Sequence, residues 1–300
     1  MIYRRILPAL LILILSFLLL VQTSCEKFSG DQTVPAYLSI DSIYLQTDNG
    51  LQGTTSQNIT DAWVYVDDNL VGAFQMPARF PVLKEGKHNL TVIPGVKRDG
   101  IASTRITYPF YTSITQSVNF VPDSTISMSV LKTTYNSTTK FTWKEAFEDV
   151  AISLDTSTKS MVNIEETPPG SPLTFEGVHS GIVQLDSAKN FFEIMTHNQY
   201  PIPNAPVYLE MNFNTNSTFQ AGVIIYTTDY VLYQTPILNL APTNGKWKKI
   251  YIDLTTTLNS YANSTNYKVY FGGYKDSGIT NATILLDNFK IVIKFFKFSF

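Results

Sequence analysis

Two antiparallel β-sandwich domains in an all-β chain are what this sequence predicts, from three observations. Aromatics reach 13%, with 17 Tyr and 19 Phe, beside abundant Thr, Ser and Asn, a mixture that suits pleated sheets better than helices. Short segments of alternating polarity recur between turn clusters from Pro35 onward. No segment offers a capped amphipathic helix of three turns. Three hundred residues match roughly two domains of about 150 residues each, and a hydrophobic fraction of 44% supplies real cores. A net charge of −2 with only 15% charged residues leaves no basic field for nucleic acid, which is excluded as a partner.

The front of the chain reads as a signal peptide over residues 1–24. Arg4 and Arg5 form a cationic start, and an apolar run from Ile6 to Val21 follows, broken only by Ser16. That run falls just short of the roughly 17–25 residues of a membrane span. Thr23 and Ser24 are small, and the sole cysteine, Cys25, comes next. The ending resembles the lipobox of bacterial lipoproteins, in its looser Bacteroidota form, with Gln22 where that family most often carries Leu. The resemblance implies cleavage before Cys25, lipidation of its thiol, and a tether over residues 25–34. Two or more acyl chains make a stable anchor, so the expected location is the outer membrane, lipid-anchored, with the face left open.

The first domain is placed at residues 35–132. In AWVYVDDNLVGAF, Ala62, Val64 and Val66 alternate with Trp63, Tyr65 and Asp67, and Asp67-Asp68-Asn69 supplies a hairpin turn. A second hairpin is expected about Glu85-Gly86, after which His88, Leu90 and Val92 share a face. The pair VYVDDNLVG and LKEGKHNLTV resembles the small Ig-like sandwiches of the PEGA and transthyretin-like type, in which His88 is a packing or rim residue. A polar linker is expected at residues 133–140.

The second domain is placed at residues 141–293. In VYLEMNFN, Val207, Leu209, Met211 and Phe213 oppose Tyr208, Glu210 and Asn212; in KKIYIDLT, Ile250, Ile252 and Leu254 oppose Lys249, Tyr251 and Asp253. Such alternation predicts one buried and one solvated face. Phe147-Glu148-Asp149, Tyr208 to Glu210, Trp247 to Leu254 and Leu286 to Ile291 occur in the order of the galactose-binding-like jelly roll, which many carbohydrate-binding modules use. This resemblance implies a fold rather than an activity.

Catalytic signatures are absent from the sequence: there is no G-x-S-x-G, H-E-x-x-H, Walker loop or C-x-x-C. The three histidines, His88, His179 and His197, are far apart. Glu145, Glu148, Asp149, Glu176, Asp253 and Asp287 are carboxylates from which a hydrolase would need two that converge. The jelly-roll resemblance implies a structural calcium on Glu148, Asp149 and Asp287 and no other cofactor. Sugar-stacking rings are sought at Tyr226, Tyr230, Tyr233, Tyr251, Tyr270 and Tyr274, with Tyr251 and Tyr270 opposite the aliphatic positions of their strands, while Trp247 is assigned to the core. Asp41-Ser42-Ile43, Asp123-Ser124-Thr125 and Asp186-Ser187-Ala188 fit an O-glycosylation pattern of exported Bacteroidota proteins.

In the tail, residues 294–300, Phe296, Phe298 and Phe300 would align on one side of an extended strand. They either pack on the protein itself or dock on a partner by strand addition. The combined expectation is a lipid-anchored envelope protein with a non-catalytic binding module for a glycan. A structural or adhesive subunit that contacts other envelope proteins is the alternative, and a hydrolase comes third.

Overall fold

The computed structural model describes residues 34–295. Cys25 and the expected signal peptide at residues 1–24 therefore lie outside the described residues, as do Phe296, Phe298 and Phe300. Strand dominates, and the helices among the described residues are two single turns, α1 (Asn49–Gln52) and α2 (Thr255–Leu258).

The first unit contains β1 (Ala36–Gln46), β2 (Asp61–Val66), β3 (Asn69–Gln75), β4 (Ala78–Val82), β5 (Gly86–Lys97), β6 (Arg105–Thr107), β7 (Ile114–Phe120) and β8 (Thr125–Thr134). Asp67 and Asp68, both at positive φ, close the β2–β3 hairpin, and Ala62, Val64 and Val66 point into the core as the alternation predicts. The second expected hairpin does not form. Its turn residue Gly86 has a φ of 83°, but β4 pairs with β1 while β5 pairs with β2, β6 and β7, so the chain there crosses between the two sheets of the sandwich. One pair departs from antiparallel order, since β8 returns to lie parallel beside β1. His88 sits at the rim, with Nδ1 2.5 Å from Asp67 and Nε2 2.9 Å from the Glu85 carbonyl.

The second unit contains β9 (Thr139–Glu145), β10 (Leu154–Thr156), β11 (Glu165–Glu166), β12 (Gly181–Leu185), β13 (Phe191–Thr196), β14 (Tyr200–Pro201), β15 (Val207–Thr215), β16 (Phe219–Thr227), β17 (Leu232–Leu240), β18 (Lys248–Asp253), β19 (Ser264–Tyr274) and β20 (Ala282–Lys294). They form two antiparallel sheets. The outer sheet runs β10-β13-β19-β16-β17, and the inner sheet runs β11-β12-β20-β15-β18 with β9 on β20. Between them lies a core that includes Leu209, Met211, Val223, Val269, Phe271 and Ile291.

Along β15, β18 and β20 the inner sheet buries both of its faces, contrary to the solvated face expected from alternation. Tyr208, Glu210 and Asn212 on β15 are buried, as are Lys249 and Tyr251 on β18, and Tyr208, Tyr251 and Val292 belong to the hydrophobic cluster of the first unit. Tyr108 packs on Tyr251 at 4.7 Å and on Tyr208 at 5.5 Å between ring centroids. Aromatic pairs of this kind add about 0.5–1.5 kcal/mol each beyond the area they bury. Several of the polar members are satisfied across the interface, while Lys249 Nζ is buried without a hydrogen bond. Glu210 accepts hydrogen bonds from the hydroxyls of Tyr108 at 2.8 Å and Tyr135 at 2.8 Å, and Lys290 donates to the Thr54 carbonyl at 2.9 Å. The expected linker is drawn into this contact as well, for β8 and β9 claim its two ends and Tyr135 between them is buried.

Candidate functional site

With the inner sheet committed to the first unit, the outer sheet is the broad face left to solvent. On β13, Phe192 and Ile194 enter the core, which turns Phe191, Glu193 and Met195 outward. On β19, Tyr267, Val269 and Phe271 enter the core, so Lys268, Tyr270, Gly272 and Tyr274 face outward. The register sets Glu193 opposite Gly272, Gly272 opposite Gln220, and Tyr270 opposite Gly222.

Two glycines open room on this surface. A Cβ at Gly222 would lie 2.5 Å from Cε1 of Tyr270 and 2.4 Å from the Thr235 carbonyl oxygen, so the tyrosine ring rests directly on the sheet there. A Cβ at Gly272 would lie 2.8 Å from the Phe192 carbonyl oxygen. The result is a groove of about 440 Å³ with Tyr270 in its floor and Phe191 and Tyr274 at one end. Those two rings pack at 4.6 Å with a 44° tilt, and Tyr274 is 67% exposed. Along the groove, Glu193 Oε2 accepts a 2.6 Å hydrogen bond from the Gln234 amide, and Lys159 Nζ lies 3.9 Å from Glu193 Oε1. Burial, reinforced by the charge of Glu193, pushes the Tyr270 hydroxyl pKa up, so the phenol stays a neutral donor and acceptor. Asp276 in the same wall already accepts from the backbone N–H and hydroxyl of Thr218. An exposed ring pair beside a fixed carboxylate and amide is a surface that can stack on an apolar ring face and hydrogen-bond hydroxyls around it.

The other predicted rings lie elsewhere. Tyr251 is 1% exposed in the interface, where its hydroxyl meets that of Tyr111 at 3.1 Å and accepts from the Asn58 N–H at 2.9 Å. It is a packing residue, because the face opposite its strand's aliphatic positions is covered by the first unit. Tyr226 lies toward the far end of β16 and is half-buried. Tyr230 stands 95% exposed at positive φ in the β16–β17 turn, and Tyr233 stacks on Tyr261 at 4.3 Å. Of the six predicted tyrosines, Tyr270 and Tyr274 meet in the groove. Sequence reading missed Phe191, Glu193 and Gln234; the outward register of Phe191 and Glu193 about the apolar Phe192 and Ile194 is the signal that would have found the first two.

The proposed calcium ligands are not gathered, and among the described residues no group of three or more His, Cys, Asp or Glu could hold a metal ion. Glu148 Oε1 accepts from the backbone N–H groups of Val178 and His179 at 2.7 and 3.0 Å. Asp149 is exposed. Asp287 is buried, with one oxygen taken by the Ser180 hydroxyl at 2.6 Å and the other by the Asn288 N–H at 2.6 Å. Glu148 and Asp287 are thus engaged by protein donors, and Asp149 is turned to solvent. Glu148 and Glu176 do line a cavity of about 620 Å³, whose walls include neither Asp149 nor Asp287. Glu145 is consumed by the backbone N–H groups of Phe147 and Ser153 and by the Ser153 hydroxyl.

No family model matches the chain, and no curated protein matches it. Among solved structures, it is similar to the CBM22-1 xylan-binding domain from Paenibacillus barcinonensis, at 12% identity over 54% of this chain and 99% of that one, with a TM-score of 0.39. It is also similar to carbohydrate-binding modules of the β-sandwich superfamily described as promiscuous in specificity, at 14% identity over 77% of this chain and 84% of that one, with a TM-score of 0.36. A third is CBM28, a module specific for non-crystalline cellulose, at 10% identity over 49% of this chain and 91% of that one, with a TM-score of 0.35. Likeness at this level leaves the ligand to be read from this chain's own residues.

Proposed function

We propose that this protein is a non-catalytic glycan-binding protein of the cell envelope, lipidated at Cys25 and held at the outer membrane. The observation that carries the reading is the groove on the outer sheet, where the Phe191–Tyr274 ring pair opens onto Tyr270 and the hydrogen-bonded Glu193–Gln234 pair. Stacking on a sugar ring and bidentate contact with its hydroxyls are the two things such a surface does well, and neither needs a reacting group.

Affinity electrophoresis of the full chain in gels containing neutral polysaccharides tests this. Retardation by one polysaccharide class is expected, with loss of retardation in Tyr274→Ala and an unchanged circular dichroism spectrum. Equal migration of wild type and variant in every gel would refute the groove as the binding face. A second reading, docking to another envelope protein, is favoured by the β16–β17 turn, where Tyr230 is 95% and Leu232 59% exposed. It predicts that Tyr230→Ser, rather than Tyr274→Ala, disturbs the protein's behaviour in membranes.

A further inference from the structure

A second cavity, about 520 Å³, lies where the first unit meets the edge of the second. Clefts of that size at domain boundaries are common ligand sites. Trp247, which the sequence assigns to the core, is half-buried at its wall and packs on Phe175 at 5.1 Å with a 43° tilt. Amides come from both units, Asn58 from the first and Asn212 from the second. Asn58 donates to the Lys249 carbonyl at 3.2 Å, and Asn212 accepts from the Ser56 hydroxyl at 2.8 Å, so both are held in place.

The charge of the cleft is the feature that separates it from the groove. Lys97, Lys248 and Lys249 line it against a single acid, Asp99, on a protein whose net charge is −2. Asp99 is already spoken for, since it accepts from the Asp253 N–H at 2.9 Å and lies 3.9 Å from the Arg98 guanidinium. Lys97 and Lys248 form no ion pair among the described residues. Lys249 is buried with its Nζ 3.4 Å from Glu210, near enough for charge attraction, yet it makes no hydrogen bond of proper geometry. The wall thus offers two ammonium groups without an ion pair among the described residues, Lys97 and Lys248, next to an indole ring.

We propose that this interdomain cleft binds an acidic saccharide unit, its ring against Trp247 and Phe175 and its anionic group toward Lys97 and Lys248. Carboxylated and sulfated sugars share that chemistry. The cleft and the groove are separate sites that have Asn239 in both walls. Apart from Asn239 the two are lined by different residues, and the proposal for the cleft is made independently of neutral-glycan binding in the groove.

The test is a titration of the full chain with trigalacturonate, with its methyl ester, and with a sulfated galactan trisaccharide, followed by isothermal titration calorimetry at two salt concentrations. At least one acidic trisaccharide is expected to bind and to weaken as salt rises, while the methyl ester binds about tenfold more weakly. The Lys97→Ala/Lys248→Ala double variant is expected to lose about tenfold toward the acidic ligand, Trp247→Ala to lose binding, and Tyr274→Ala to bind it as wild type does. Absence of binding by both acids, equal binding of acid and ester, or loss of binding in Tyr274→Ala would overturn the proposal. Because Lys97 and Lys248 are in contact with solvent, the double variant keeps the fold and the comparison remains readable.

Discussion

Glu210 is a carboxylate with no exposed surface, held by two tyrosine hydroxyls and an ammonium group 3.4 Å away. Removing one partner of such a buried pair leaves the other charge uncompensated, at a cost of about 3–5 kcal/mol. Glu210→Ala is therefore expected to lose that much in urea unfolding, whereas Tyr274→Ala, at a mostly exposed ring, is expected to change stability by no more than about 0.5 kcal/mol. Two other buried groups give the fold a pH signature. Burial holds the Asp287 carboxyl at about 7, above its ordinary 3.8, so the folded chain keeps a proton that the unfolded chain has lost in between. Stability from this group is full below 3.8 and is lost as pH rises to about 7. Burial also holds Lys290 at about 7, below its ordinary 10.5, so its contribution grows as pH rises from about 7 toward 10.5. Unfolding series across pH are expected to show wild type losing ground to Asp287→Asn between pH 3.8 and 7; a constant difference would contradict the assignment. From the sequence, Glu210 and Asp287 were legible as strand positions. Their burial was not, because alternation tells which residues share a face and says nothing of what covers it.

At the scale of elements, β15, β18 and β20 show where pattern reading stops. The aliphatic positions of β15 and β18 were correctly read as core, and Leu209 and Ile252 are fully buried there. The opposite positions carry Tyr, Glu, Asn and Lys, residue types that read as solvated, and it is their mutual hydrogen bonding across the two units that makes burial tolerable. The β4–β5 turn failed for a different reason: Gly86 marks a turn in either topology, and a turn does not say whether its strands pair or separate into two sheets. On the outer sheet, the contact between Gly222 and Tyr270 is a feature that pairing registers alone do not expose. Gly222→Ala would force its Cβ into the Thr235 carbonyl and the Tyr270 ring. A loss of about 1–3 kcal/mol is expected on unfolding, together with weakened retardation in polysaccharide gels as the floor of the groove shifts.

At the scale of the molecule, the two units share a cluster of hydrophobic and aromatic side chains, for Tyr208, Tyr251 and Val292 pack into the first unit's core. Two sandwiches joined in this way are expected to melt in a single calorimetric transition, and a chain cut to residues 141–293 is expected to expose that face and bind a hydrophobic dye. Two well-separated transitions would contradict the shared core. The all-β class was legible in composition and alternation, and so was the place of Tyr270 opposite the aliphatic positions of its strand, though its ring is only 3% exposed. The groove that joins Tyr270 and Tyr274 to Glu193 and Gln234 depends on which of two sheet faces the first unit leaves open, which no local pattern encodes. One inner face is given to the interface and one outer face to the groove, and hydrogen–deuterium exchange of the full chain, with and without a polysaccharide that retards it, tests that division directly. The account requires added protection in Phe191–Thr196 and Ser264–Tyr274 with none in Val207–Thr215; protection confined to the turn at Tyr230, or none on the outer sheet, would contradict it.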